Sequence, residues 1–153
     1  MDPYATHLPL LLACVAVTSG PVIELGCGDY STPALHLVCR NRMLVSADSD
    51  GNWCQRFTDL ASENHRIFFV GDWACFNLID QKWDVAFVDH APVERRKHDI
   101  ERLIGQARFV VVHDTEARCY EYEGVLSRFK HRFDYKRFTP WTTVVSNEPI
   151  DFV

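Results

Sequence analysis

Four apolar runs of this chain lead into carboxylates: Asp48 follows "RMLVSA", Asp72 follows "RIFFVG", Asp89 follows "WDVAFV" and Asp114 follows "RFVVVH". An acid at the end of a buried strand costs stability unless it is paired or solvated. Four at matching places are more than a buried sheet needs, so they point to a bound ligand or a transferred proton. Two of them have histidine neighbours, Asp89 with His90 in "VDHAP" and Asp114 with His113 in "VHDTE". Successive strand residues face opposite ways, so one member of each pair is expected in a cleft at that edge. A lone histidine there is as often structural as catalytic.

Ahead of the four acids, "VIELGCGDYSTP" (22–33) runs from an apolar stretch through Gly26 and Gly28 to a helix start. The glycines permit a tight turn and close approach of a ligand to the backbone. A helix capped by Thr32, with Pro33 at its first position, would offer unpaired N–H groups. Structural glycines serve ordinary strand-to-helix turns as well. Asp48 lies 20 residues past Gly28, where a carboxylate accepts ribose hydroxyls. Asp50 is near enough to contest that role, although it is better placed to start the next helix. Asp72 and Trp73 in "VGDW" add an acceptor for an adenine amino group and an aromatic face for its ring, which together suit a nucleoside.

For these residues to meet, strands and helices must alternate. The runs "PVIEL", "RMLVSA", "RIFFV", "WDVAFV" and "RFVVVH" have the composition of strands buried on both faces of a parallel sheet. Helices are expected after "GCGDYS" (apolar face Ala34, Leu35, Val38), over "GNWCQRFTDLASE" (Trp53, Phe57, Leu60), over "PVERRKHDIERLIGQA" (Val93, Ile100, Leu103, Ile104) and over "YEGVLSRF". The short "TPW" link makes the terminal strands "HRFDYKRF" and "TTVVSN" antiparallel. The sum is an α/β fold, a doubly wound, mostly parallel sheet with one reversed strand at its end and right-handed crossovers.

The 153 residues fit one domain, 1–153, whose first 20 residues hold an N-terminal helix. The six cysteines form no CxxC pair, as expected of reduced thiols in a cytoplasmic protein. "LPLLLACVAV" has no basic residue ahead of it and is too short to span a bilayer, so it is expected to pack on the sheet, and no membrane partner is expected. Net charge is -5, yet "RFKHRFDYKRFTPW" (128–141) carries five cations against one acid, so the molecule is electrically lopsided.

"ELGCG", Asp48 and "VGDW" resemble the successive motifs of class I S-adenosylmethionine-dependent methyltransferases, and the resemblance covers roughly residues 21–145. It implies a seven-stranded sheet with an antiparallel last strand. It also implies S-adenosylmethionine as cofactor, held by Glu24, Gly26, Cys27, Gly28, Tyr30, Asp48, Ser49, Asp72, Trp73 and Asp89. Tyr30 stands where many members have a third glycine. "VDH…HDT" further resembles the metal-binding stretch of catechol O-methyltransferase-type enzymes. That resemblance implies Asp89 and Asp114 as ligands of Mg²⁺, with Thr115 where the group has Asn, and places His90 near the cofactor. Because a sulfonium methyl is already activated, Asp89, His90 and Asp114 are the candidate catalytic residues, for the acceptor's proton or for a metal that lowers its pKa.

The acceptor is read from two features. No long insertion can build a lid domain, and an open cleft suits a large acceptor. Arg95, Arg96, Lys97, Lys136, Arg137 and Trp141 are expected to flank the cleft, with cations for phosphates and an aromatic for stacking. An RNA acceptor is therefore expected, against metal-assisted O-methylation of a small hydroxylated molecule, by a monomer or a homodimer. An NAD-dependent oxidoreductase would use the same glycines and Asp48 but needs a second half this chain hardly has room for. A non-catalytic cofactor-binding module would leave the pairing of Asp89 with Asp114 unexplained.

Overall fold

The computed structural model describes residues 2–152. Its sheet has seven strands: β1 (Val22–Leu25), β2 (Leu44–Asp48), β3 (His65–Phe69), β4 (Trp83–Val88), β5 (Ala107–His113), β6 (His131–Tyr135) and β7 (Thr142–Ser146), in the order β3-β2-β1-β4-β5-β7-β6. Strands β1 to β5 pair in parallel, and β7 runs antiparallel between β5 and β6. Every residue of β1, β2 and β7 is buried, including the polar Glu24, Ser46, Asp48, Thr142, Thr143 and Ser146.

Alternation along the strands divides the core in two. Val22, Leu44, Val85, Phe87, Phe109 and Val111 face α1 (Leu8–Ala16) and α2 (Ser31–Val38), where Leu11, Cys14 and Leu35 meet them. Ile23, Val45, Ala86 and Val110 face the other way, toward Ile100 of α4 (Val93–Arg102) and Leu126 of α5 (Glu123–Leu126). Full burial of one such aliphatic side chain contributes about 1.5–3 kcal/mol. The N-terminal apolar run thus packs on the sheet as expected, and among the described residues no helix is long and apolar enough to cross a membrane.

Three helix expectations are corrected. α2 is capped at Tyr30, not Thr32, because the Thr32 hydroxyl turns inward, accepting the Gly28 N–H at 2.9 Å and donating to Glu24 Oε2 at 3.0 Å. On its apolar side only Leu35 is buried, and Val38 is exposed. The helix expected over 51–63 stops early: α3 covers Gly51–Arg56, and a 3-10 turn over Thr58–Leu60 follows once Phe57 is buried. Asp50 caps α3, accepting the Asn52 N–H at 2.8 Å. α4 ends at Arg102, just ahead of Gly105, whose φ of 75° is left-handed.

Candidate active site

The turn after β1 and the end of β4 are in direct contact. Gly26 has a φ of 100°, and a Cβ there would lie 2.6 Å from the backbone carbon of Asp89. Only glycine fits, so Gly26 is what brings Asp89 against the turn. Below it Glu24 is fully buried, accepting from Thr32 Oγ1 and, at 2.5 Å, from Ser46 Oγ. Burial pushes the Glu24 carboxyl up to about 7 against those hydrogen bonds. Glu24 therefore supports the turn from beneath.

Asp48 ends β2 with its carboxylate oxygens on two backbone N–H groups, Cys27 and Asp50, each at 2.8 Å. Burial raises its pKa and these hydrogen bonds oppose the rise. Ser49 Oγ donates to the Ala91 carbonyl at 2.9 Å, tying the β2 and β4 loops together. The acid and aromatic after β3 behave otherwise than expected. Asp72 caps a 3-10 turn through the Ala74 N–H, and Trp73 is only 3% exposed, donating from Nε1 to the Ala91 carbonyl at 2.8 Å and packing on His90 at 4.2 Å. Trp73 is thus a core residue without a face for a ligand ring. The tryptophan at the cleft is Trp53 of α3, which sequence reading left as a helix-packing residue.

Two adjoining cavities open at this edge, of about 540 Å³ and about 450 Å³. They share Tyr4, Cys27, Trp53 and Asp89. The first continues past Asp48 on one side and His113 and Asp114 on the other, and the second reaches Gly28, Tyr30 and His7. The cleft is not simply open: a 3-10 turn over Pro3–Ala5 lays Pro3 and Tyr4 at its mouth, and the Tyr30 hydroxyl donates to Asp2 at 2.8 Å.

At the β4 and β5 ends the expected catalytic set is rearranged. Asp89 faces the cleft, but His90 is 1% exposed on the opposite side, with Nε2 3.1 Å from Asp99, and burial holds its pKa below the ordinary value. That excludes His90 from the cleft. His113 and Asp114 both line it, against the alternation expected, because Asp114 has a left-handed φ of 60° that breaks the pleat. Arg96 lies between the two acids: its Nη1 is 3.1 Å from Asp89 Oδ1 and 3.1 Å from Asp114 Oδ2. Its Nε and Nη2 donate to the His90 and Asp89 carbonyls at 2.6 and 2.9 Å. A guanidinium, 6% exposed, thus bridges the carboxylates that were expected to share Mg²⁺, and that pair does not fit the ion.

Two histidines complete the cluster. His113 Nδ1 is 3.2 Å from Asp89 Oδ2, and its Nε2 is 2.9 Å from Thr6 Oγ1. Burial pulls its pKa down, but the Asp89 hydrogen bond and the charges of Asp89 and Asp114 outweigh it and leave the group raised. His7, 3% exposed, packs on Phe87 at 4.7 Å and edge-on to His113 at 5.0 Å. Neither of its nitrogens has a hydrogen-bond partner, and burial followed by the His113 charge lowers it to about 4. Sequence reading missed His7, Thr6 and Tyr4 altogether; a histidine opening an apolar helix was the one signal.

The basic residues expected beside the cleft are mostly paired elsewhere. Arg95 makes a bidentate contact with Asp99 at 3.0 and 2.9 Å, and Lys97 pairs with Glu121 at 2.7 Å. Lys136 sits 4.5 Å over the Trp141 ring, and Arg137 lies 5.7 Å over Phe138. Of the six expected acceptor-binding residues only Arg96 lines the cleft, with Pro140 arriving beside Trp141.

No family model and no curated protein sequence matches the chain. Solved structures match its fold. Human methyltransferase-like protein 13 in complex with SAH superposes with a TM-score of 0.71 at 10% identity, over 97% of this chain and 85% of that one. A spermidine synthase in complex with the transition-state analogue AdoDATO gives 0.67 at 13% identity, over 99% of this chain and 63% of that one. An rRNA methylase from Streptococcus thermophilus gives 0.64 at 13% identity, over 95% and 98%. With its sheet order and antiparallel β7, the chain has the seven-stranded α/β fold of class I methyltransferases.

Proposed function

We propose that the protein is an S-adenosylmethionine-dependent methyltransferase whose acceptor is a small molecule bearing a hydroxyl or amine. The observation that carries this reading is the position of Asp89 at the junction of the two cavities, with Asp48 and Cys27 on one side and His113 and Asp114 on the other. The cofactor supplies an already activated methyl group, so the protein has chiefly to align an acceptor and manage its proton.

Cys27, Gly28 and Tyr30 line the recess that would take the amino-acid end of the cofactor. Asp48 uses one acceptor site on each oxygen for backbone and, with roughly four lone-pair sites on a carboxylate, retains capacity for ribose. Trp53 offers an aromatic face at the same cleft. On the acceptor side Asp89, held by Arg96 and His113, and the neutral ring of His7 are the groups that can accept a proton or a hydrogen bond. Aligned acids with a single internally paired cation suit a neutral or cationic acceptor and repel a polyphosphate.

The RNA reading keeps one observation in its favour, the Lys136–Trp141 pair beside Pro140. Calorimetric titration with S-adenosylmethionine, S-adenosylhomocysteine and NAD tests the cofactor: the first two are expected to bind and NAD not to bind. Binding of NAD alone, or of none of the three, would overturn the proposal.

A further inference from the structure

His113 is held at both ring nitrogens. Thr6 Oγ1 lies 2.9 Å from Nε2 and 3.2 Å from the Pro3 carbonyl. Nδ1 is 3.2 Å from Asp89 Oδ2. One cation, a proton or a metal ion, can be shared between those two atoms. His7 stands beside this pair with both nitrogens unpartnered and buried, and it lines the adjoining cavity. One ligand atom each from His7, Asp89 and His113 lie within 4.8 Å of one another.

We propose that His7, Asp89 and His113 bind one divalent transition-metal ion of the zinc type, with its remaining coordination open to the cleft. The 3.2 Å separation of Nδ1 from Oδ2 is close to the ~3.3 Å edge of a tetrahedron with bonds of about 2.0–2.1 Å. Two imidazoles and one carboxylate are a donor set for zinc rather than for Mg²⁺, which takes oxygen. The outer atoms of two ligands are already held, Asp89 Oδ1 by Arg96 and His113 Nε2 by Thr6, as metal-binding carboxylates and histidines generally require. Asp89 and Asp114 against Arg96 leave one negative charge before an ion enters. Such an ion would lower the pKa of an acceptor hydroxyl bound to it.

The test is titration of the chelator-stripped full chain with Zn²⁺ by calorimetry and with Co²⁺ by its visible absorption, without S-adenosylmethionine, so that the result stands apart from the cofactor reading. One ion per chain with tetrahedral Co²⁺ absorption is expected. His113→Ala and His7→Phe are each expected to weaken binding more than ~tenfold. The phenyl ring of His7→Phe fills the same space against Phe87 and keeps the fold, checked by an unchanged thermal transition. Absence of binding would overturn the proposal and assign the shared position to a proton on His113. Binding undiminished in His7→Phe would also overturn it, because the ion would then be held by other side chains.

Discussion

Two buried polar assemblies flank Gly26, and they are built on opposite terms. Beneath the turn, hydrogen bonds link His36 Nδ1 with His65 Nδ1 (3.1 Å), His65 Nε2 with Ser46 Oγ (2.9 Å), and Ser46 with Glu24, with no Lys or Arg in the series. The series ends at Glu24, whose Oε2 accepts from Ser46 and Thr32 while its buried Oε1 has no partner, and Glu24 lines neither cavity of the cleft. Across the turn, Asp89, Asp114, Arg96 and His113 are charged or hydrogen-bonded to charge, and they face the cleft, with unpartnered His7 beside them. Spare hydrogen-bonding capacity alone does not mark a group kept for chemistry: Glu24 and His7 both have it, and of the two only His7 has it at the cleft.

The largest effect should come from Asp89→Asn, which keeps the volume and removes the charge. Turnover is expected to fall by ~10²–10⁴-fold with cofactor affinity nearly intact. Unchanged turnover would remove Asp89 from the chemistry and erase the contrast. Gly26→Ala should damage both assemblies at once, since its Cβ would meet the Asp89 backbone at 2.6 Å. The left-handed backbone alone costs about 1–3 kcal/mol. A urea midpoint equal to that of the parent chain would show that the turn yields to a side chain.

The same contrast explains what the sequence made legible. Strands buried on both faces are continuous apolar runs, so β4 is read from "WDVAFV" without error, and of the four edge acids Asp48, Asp89 and Asp114 line the cleft while Asp72 caps a 3-10 turn. What failed was side-chain direction. Arg96 sits on a helix that reads as a solvated face, yet it turns inward because two carboxylates 7 and 18 residues away meet there. Trp73 was expected to offer its face to an adenine ring at the strand edge but fills the core, and Asp114 leaves the pleat through a left-handed φ. Thr6 meets His113 across 107 residues of chain, a distance over which no local spacing carries information.

A smaller effect distinguishes the neutral chain by its pH dependence. Glu24 is raised to about 7 from 4.5, chiefly by burial, so the folded state keeps a proton the unfolded state has lost. Its contribution to stability is full below 4.5 and falls as pH rises to about 7. His65 is lowered to about 4, chiefly by burial, and works in the opposite sense, adding stability as pH rises from about 4 to 6.5. Glu24→Gln removes the falling component. The variant should therefore gain stability relative to the parent between pH 4.5 and 7, read as diverging urea midpoints; parallel curves would show that Glu24 does not titrate in that range.

The smallest effects belong to the outer cations, and they separate the two acceptor readings. Lys97 is joined to Glu121 at the surface, and Lys136 lies on Trp141, outside both cavities. Exposed pairs of this kind contribute about 0–1 kcal/mol, so Lys97→Ala and Lys136→Ala should barely move the thermal transition. With a small acceptor, turnover by the double variant should equal that of the parent, because neither ammonium faces the cleft. With an RNA acceptor, each lost phosphate contact would reduce the slope of log affinity against log salt by ~0.7. Filter binding across a salt series reads that slope directly. A drop of about twice that size in the double variant would return the acceptor to RNA, since two removed cations can lower the slope only if both met phosphate.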